Sequence, residues 1–331
     1  MLNQFLSIVW DVDPEIFHIG AISIRWYGLT WALCFIIGLV MFRGFFNREG
    51  YPPKLLDSIF MWGVISTLVG SRLGHVLFYD FQSYMENPIT ILYIWEGGLA
   101  SHGAAIGLLI GLWGFSRKYK MPYIWSLDRI MFPVTAGGAC VRIGNLMNSE
   151  IYGTPTDLPW GFEFINDNMW SKPFIEGGSN ALPVHPTQIY EALCYLITFG
   201  IIAYMYYRKD LGRRRPGLIF GTGLIGVFLS RFIIEYIKNP QMTFELDMSL
   251  MMGQWLSVPF IIAGIAVIIW AYSKPAVQVP AVPTPLYTYS KPAAPKAKEA
   301  VKGAVPLKKS TEKPHDMPET VNSKPHKKGH K

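Results

Sequence analysis

Charged side chains are scarce in this sequence of 331 residues. They make up 16% of the chain, whereas hydrophobic residues make up 50% and the mean hydropathy is +0.24. A soluble domain carries about 25% charged residues on average. The scarcity of charge therefore excludes an ordinary soluble protein and favours a chain that lies largely in lipid.

Cysteine is also rare, since the chain has only Cys34, Cys140 and Cys194, without metal-ligand spacing. All three fall in apolar runs, so we interpret them as packing residues. No removable signal peptide is visible, because the first 20 residues contain three acids and lack a basic segment followed by an apolar run. No nucleotide-binding loop or metal-ligand cluster occurs, and we expect no cofactor.

The net charge of +7 comes from the end of the chain. From Pro275 onward there are 11 Lys and four acids, whereas the first 274 residues hold 19 basic and 19 acidic residues. The neutral part lacks the clustered basic surface of nucleic-acid-binding proteins, so we expect no nucleic-acid partner. Residues 275–331, rich in Pro, Ala and Lys, are predicted to form a disordered cytoplasmic tail. A solvated extension and contact with anionic lipid headgroups are both open interpretations.

Long apolar runs are abundant, and about seven of them reach the roughly 20 residues that cross a bilayer as a helix. We therefore predict an all-α integral membrane protein with a polytopic domain over residues 1–274. The predicted spans run approximately over residues 21–42, 56–78, 89–115, 125–147, 187–207, 217–237 and 248–272.

The connecting segments alternate in Lys and Arg content. Basic loops follow the first, third and fifth predicted spans, whereas the other segments are poor in basic residues. Because basic loops favour the cytoplasmic side, the pattern predicts an amino terminus outside and a carboxy terminus in the cytoplasm. The long segment at about 148–186 then faces outward.

Several ionisable side chains lie inside the predicted spans, where charge is costly and functional roles are common. The inner halves of the spans are apolar or glycine-rich, except at Asp128 and Arg129. This distribution favours a polar chamber open to the outer face and disfavours a transporter, whose binding site would lie near the midplane. The residues in the outer halves are Arg72, His102, Arg142, Arg231 and Glu235.

Two of these arginines suit a phosphate group, because guanidinium donors match its oxygens and stay charged. Arg142, Asn145 and Ser149 have the spacing of one helix face. The phosphate available at this depth is a phospholipid headgroup, while snorkelling to the interface is the alternative for Arg142. Arg231 and Glu235 are four residues apart, so they can pair, and such a pair can be purely structural.

His102 is a candidate general base, because its intrinsic pKa is near neutral and phosphate-binding arginines would lie in the same chamber. A structural histidine is the alternative. An intramembrane hydrolase would need a nucleophile beside a base, and Ser101 next to His102 is the one candidate pair. Adjacent residues on a helix do not face each other, which argues against that reading.

Seven motifs occur in order along the chain. They are RWYG at 25–28, GSRLG at 70–74, EGGLASHG at 96–103, RIGNLMNSEIYG at 142–153, HPTQIYE at 185–191, RFIIE at 231–235 and MGQWLS at 252–257. Through these motifs the chain closely resembles the bacterial phosphatidylglycerol:prolipoprotein diacylglyceryl transferases, and the resemblance covers roughly residues 15 to 272.

The resemblance implies an enzyme of the bacterial plasma (inner) membrane with two substrates, phosphatidylglycerol and prolipoprotein signal peptides that carry a lipobox cysteine. The diacylglyceryl group would move to the cysteine thiol, forming a thioether and releasing glycerol phosphate. Arg142 and Arg231 would bind the phosphate and His102 would activate the thiol, although an arginine field alone can also favour the thiolate. The expected substrate-binding residues are Tyr27, Arg72, Asn145, Glu150, Gly153 and Glu235.

The chain departs from the family pattern at four positions. Val184 replaces an Arg, Ser149 and Ala104 replace glycines, and Lys238 replaces an Arg. The last change keeps the charge and loses the fork of donors. These differences concern loop details and headgroup contacts rather than the class of reaction.

Overall fold

The computed structural model describes residues 7–20, 22–78, 80–93, 98, 100–166, 182–240, 245 and 248–278. At positions 22, 83, 101 and 102 it describes the backbone alone. The predicted cytoplasmic tail therefore lies almost entirely outside the described residues, and its disorder stays a prediction.

Helices dominate the described chain, which confirms the predicted α-helical membrane architecture. Six of the described helical segments are long and apolar enough to cross a membrane. The fifth of them, Leu218–Ile237, ends in a 3-10 turn. The helices are α1 (Trp26–Glu49), α2 (Pro53–Phe78), α3 (Phe81–Glu86), α4 (Ser101–Tyr119), α5 (Tyr123–Met147), α6 (Thr187–Tyr207), α7 (Leu211–Arg214), α8 (Leu218–Ile234) and α9 (Met252–Ser273).

The third predicted span, at 89–115, is not a single helix. A 3-10 helix covers Pro88–Leu92, and α4 begins only at Ser101. Gly98 lies between them with a φ of 67°, in the left-handed region that interrupts a right-handed helix. Helix α4 is not one of the six described segments that meet the length and apolarity of a span, so the predicted count of seven is not confirmed.

Short strands occur outside the helices, which the apolar pattern did not predict. Strands β2 (Glu15–Ile19) and β3 (Ile22–Arg25) form an antiparallel pair. The first span therefore starts at Trp26 rather than at residue 21. Strand β1 (Ile8–Trp10) pairs in parallel with β4 (Phe162–Phe164), which ties the start of the chain to the segment after α5.

Helices α2 and α4 pack against each other through glycines. A Cβ added to Gly74 would lie 2.6 Å from the Cα of Gly103, and one added to Gly114 would lie 2.6 Å from the ring of Trp62. Any side chain at Gly74 would thus collide with backbone. The contacting residues run in opposite order along the two helices, since Gly74 faces Gly103 and Trp62 faces Gly114, so α2 and α4 are antiparallel.

Helices α1 and α5 are also antiparallel. Near one end Gly144 faces Tyr27, in the middle Gly137 faces Cys34, and further along Gly38 faces Pro133. We call the end that contains Arg142 the Arg142 end of the bundle. The opposite end, which contains the last turn of α1, is the Glu49 end.

A buried ion cluster joins the helices at the Glu49 end. Glu49 accepts hydrogen bonds from Nη2 of Arg129 at 2.7 Å, from Tyr206 at 2.5 Å and from the indole of Trp125 at 2.6 Å. Asp128 accepts hydrogen bonds from the backbone N–H groups of residues 217 and 220, and so caps the start of α8. These groups explain Asp128 and Arg129 as residues that join α1, α5, α6 and α8.

Candidate active site

Arg142 projects from the last turns of α5 and is paired inside the protein. Its Nε lies 2.8 Å from Oε2 of Glu191, and its side chain is 12% exposed. Its Nη1 donates to Oδ1 of Asn145 at 3.3 Å. The shared face of Arg142 and Asn145, predicted from their spacing, is therefore confirmed.

Glu191 links Arg142 to a second cation. The Nζ of Lys238 donates to Oε1 of Glu191 at 3.0 Å and to Oε2 of Glu235 at 3.3 Å. Glu191 is fully buried, and Lys238 is 2% exposed. Burial lowers the pKa of Lys238, which the charge of Glu191 opposes.

Arg231 lies on α8 and lacks such a partner. Its buried Nε has no hydrogen-bond partner, and no ion pair within 4 Å involves it among the described residues. The pairing of Arg231 with Glu235 that their spacing allowed is not formed, and Lys238 contacts that carboxylate instead. An unpaired guanidinium in a partly buried setting is a strong binding group for an anion.

Asn145 connects Arg142 to the turn that follows α5. Its Nδ2 donates to Oε1 of Glu150 at 2.7 Å, and Asn148 donates to the same oxygen at 3.4 Å. The backbone carbonyl of Glu150 accepts from Gln188 at 2.7 Å. Burial raises the pKa of Glu150, while the two asparagine donors lower it.

Ser149 lies beyond the end of α5, so it does not continue the helix face that its spacing suggested. Its φ is 52°, in the left-handed region, and its side chain is fully buried. Its hydroxyl has no hydrogen-bond partner within the described structure. The left-handed backbone at this position favours glycine, so Ser149 holds a conformation that is costly for a residue with a side chain.

Gly153 and Tyr27 support this region by packing. Gly153 pairs with Lys238 in an antiparallel bridge, and a Cβ added to it would lie 2.7 Å from the Cβ of His185. Tyr27 lies against Gly144, where an added Cβ would be 3.0 Å from the tyrosine ring. Both residues therefore border the segment that carries Arg142 and Asn145.

A cavity of about 390 Å³ begins at the two arginines. Arg142, Arg231 and the hydroxyl-bearing Tyr195 lie at its Arg142 end, and the rest of its wall is almost wholly apolar. It extends between α1, α2, α4, α5, α6 and α8, and its lining includes Trp31, Cys34, Phe35, Gly38, Phe42, Ile59, Gly63, Val64, Thr67, Ala104, Leu108, Leu112, Ile130, Gly137, Val141 and Val227.

Arg72 and His102 differ from the other predicted site residues. Arg72 donates to the backbone carbonyls of Ile91 at 2.8 Å and Thr90 at 2.5 Å, and stacks on Tyr84 at 4.9 Å. Arg72 thus holds the segment before α4. His102 lies in the first turn of α4, but its side chain is outside the described part of the structure, and its role as a base stays a prediction.

Sequence reasoning missed Glu191 as the central partner of the arginine. The signal was present, because Glu191 is an acid near the start of the apolar helix α6 and follows the same rule that selected Arg142. Lys238 was noted only as a departure from a family pattern. Within the described ranges no group of three or more His, Cys, Asp or Glu residues suits a metal ion.

Comparison with known proteins identifies the family. The family model for prolipoprotein diacylglyceryl transferase matches residues 14–270. The chain is 46% identical over 279 residues to the phosphatidylglycerol–prolipoprotein diacylglyceryl transferase of Porphyromonas gingivalis, covering 82% of this chain and 97% of the relative. The corresponding protein of Chloroherpeton thalassium is 39% identical over 262 residues, covering 79% of this chain and 93% of the relative. This chain belongs to the prolipoprotein diacylglyceryl transferase family.

Proposed function

We propose that this protein transfers the diacylglyceryl group of phosphatidylglycerol to the thiol of the lipobox cysteine in prolipoproteins, the first step of bacterial lipoprotein maturation. The observation that carries the proposal is the unpaired guanidinium of Arg231, which lines the same largely apolar cavity as Arg142. A molecule that joins a phosphate to a hydrocarbon chain can contact both the arginines and the apolar wall of the cavity.

In the reaction, the cysteine sulfur attacks the glyceryl carbon that carries the phosphate ester. A carbon–sulfur bond forms, the carbon–oxygen bond to the phosphate breaks, and glycerol phosphate leaves. Negative charge therefore gathers on the departing phosphate. Arg142 and Arg231 stabilise this charge in a poorly solvated site, where fixed cationic donors are most effective.

The other residues hold the arginines and the substrate. Glu191 fixes Arg142 through Nε, so the outer nitrogens of that guanidinium remain oriented toward Asn145 and the cavity. Asn145 and Glu150 define the side of the site nearest the turn after α5, and Tyr27 borders it from α1. Glu235 balances Lys238 behind Glu191.

The attacking thiol must lose its proton, because its unperturbed pKa is about 8.5. His102 is one candidate acceptor of this proton. In the alternative, the positive field of the arginines lowers the pKa of the thiol, so that the proton passes to solvent. If His102→Ala keeps transfer near the unmodified rate while Arg142→Ala and Arg231→Ala lose it, His102 is not the base.

The proposed setting is the bacterial plasma (inner) membrane, with the Arg142 end outward, the segment at 148–186 on that side, and the carboxy terminus in the cytoplasm. The membrane domain covers 1–274 and the tail covers 275–331. Seven spans remain part of this proposal if α4, which is about 28 Å long at 1.5 Å per residue, crosses beside α2.

A direct assay tests the proposed activity. Purified full-length protein is mixed with phosphatidylglycerol and a lipobox peptide, and a peptide with Cys→Ser serves as control. We expect a lipidated product from the cysteine peptide alone. Folded protein that gives no thiol-dependent product would disprove the proposal.

A further inference from the structure

The cavity has a fixed polar end and a fixed apolar end. Arg142 and Arg231 lie at the first, and Phe42, Ile59 and Leu112 line the second. Ile130, which also lines the cavity, lies twelve positions before Arg142 on α5, a rise of about 18 Å along the helix at 1.5 Å per residue, so the cavity extends over about this length. A lipid bound through its phosphate must direct a chain along this length.

The apolar end is a firm wall. Phe42 is 6% exposed, Ile59 is 3% exposed and Leu112 is fully buried. Behind them Phe45 lies with its ring centroid 5.8 Å from that of Phe42 and 5.1 Å from that of Tyr206. Closely packed aromatic rings yield little to an intruding group.

We propose that this cavity measures one acyl chain of the lipid substrate, and that Phe42, Ile59 and Leu112 set the longest chain that binds without strain. The inference rests on the proposed function. A volume of about 390 Å³ lies near the lower end of the range for small-ligand sites and suits one chain better than a whole diacyl lipid. The second chain then lies outside the cavity, toward the bilayer.

Gly63 offers a clean test, because it lines the cavity partway between Ile59 and Thr67. A Cβ added there would meet only Cδ1 of Leu108, at 3.9 Å. Gly63→Leu therefore adds bulk to the cavity wall, and its Cβ displaces no backbone. Gly200→Leu is the matched control, since Gly200 lies in helix α6, does not line the cavity and has no atom within 4 Å of an added Cβ.

The experiment offers full-length protein an equimolar mixture of dilauroyl, dimyristoyl and dioleoyl phosphatidylglycerol with a lipobox peptide. Mass spectrometry then reports which chains were transferred. We expect Gly63→Leu to lower the ratio of dioleoyl to dilauroyl product roughly tenfold, as expected for added bulk in a hydrophobic pocket. Gly200→Leu should leave this ratio unchanged.

Leu112→Ala should act in the opposite direction by lengthening the cavity, and should raise the share of dioleoyl product. If Leu112→Ala fails to fold, the product ratio of Gly63→Leu alone tests the proposal. If the unmodified protein and Gly63→Leu both give thiol-dependent product with the same ratio of dioleoyl to dilauroyl chains, the cavity does not limit acyl-chain length. The proposed function would stay intact. Folded unmodified protein without product from any of the lipids would overturn both.

Discussion

Nε of Arg142 lies 2.8 Å from one oxygen of Glu191, and Nζ of Lys238 lies 3.0 Å from the other. One buried carboxylate thereby fixes two cations from different parts of the chain. Arg231, which reaches the same cavity, has no such carboxylate within 4 Å among the described residues. The site therefore combines a held arginine with an unpaired one, and the two should respond differently to mutation.

Glu191→Gln should lower both stability and transfer. Breaking a buried pair by removing one charge costs about 3–5 kcal/mol, because the partner charge is left uncompensated. We expect a lower thermal midpoint and a loss in kcat/KM of at least roughly tenfold in the protein that remains folded. Glu49→Gln is the matched control, since it breaks a buried Glu–Arg pair at the opposite end.

The control separates positioning from stability. Glu49→Gln should lower the thermal midpoint to a similar degree and leave kcat/KM of the folded fraction near the unmodified value. Equal losses of kcat/KM in the two variants would show that Glu191 acts only through stability.

Ser149→Gly should stabilise the protein. The left-handed backbone of Ser149 costs about 1–3 kcal/mol for a residue with a side chain, and glycine removes most of that cost. Its buried hydroxyl, which has no partner within the described structure, adds a desolvation cost. Thermal unfolding in detergent should therefore show a higher midpoint.

Ser149→Ala distinguishes the two causes, because alanine removes the hydroxyl and keeps the Cβ. A rise in midpoint for glycine alone assigns the effect to backbone strain, and an equal rise for both assigns it to the hydroxyl. A lower midpoint for Ser149→Gly would contradict the expected relief.

Glu150 should make stability fall as pH rises. Burial raises the pKa of Glu150, so the folded state binds its proton more tightly than the unfolded state does. The resulting stabilisation is present below the ordinary glutamate pKa of about 4.3 and is lost as pH rises through the raised value. Glu150→Gln should abolish this component.

The measurement compares thermal midpoints of the unmodified protein and Glu150→Gln in detergent between about pH 4 and about pH 7. The midpoint of the variant relative to the unmodified protein should increase with pH. If the difference in midpoint is constant or decreases with pH, burial does not disfavour the charged form of Glu150.

The sequence predicted most of the membrane helices, because a run of about 20 apolar residues specifies a span with little help from the rest of the fold. It also predicted that Arg142 and Asn145 share a helix face, which depends only on helix geometry. The start of the first span was misplaced, since Ile22–Arg25 pairs with Glu15–Ile19 in a hairpin. The interruption before α4 depends on the backbone of Gly98.

The unpredicted features depend on contacts between distant segments. Strand β1 pairs with β4 across roughly 150 residues, and no local pattern encodes that pairing. The spacing allowed Glu235 to pair along its own helix with Arg231, but a 3-10 turn brings Lys238 to it instead. Which carboxylate each cation contacts could be known only from the packing of α5, α6 and α8.

The most direct test of the central claim is the transfer rate of Arg231→Ala, measured with its thermal midpoint. Removing an arginine that has no carboxylate partner leaves no buried charge uncompensated, so we expect a shift in midpoint of only a few degrees. Transfer from phosphatidylglycerol to the lipobox peptide should fall at least roughly 100-fold, as for the loss of a group that stabilises transition-state charge. A folded Arg231→Ala protein that transfers the lipid at the unmodified rate would contradict the account.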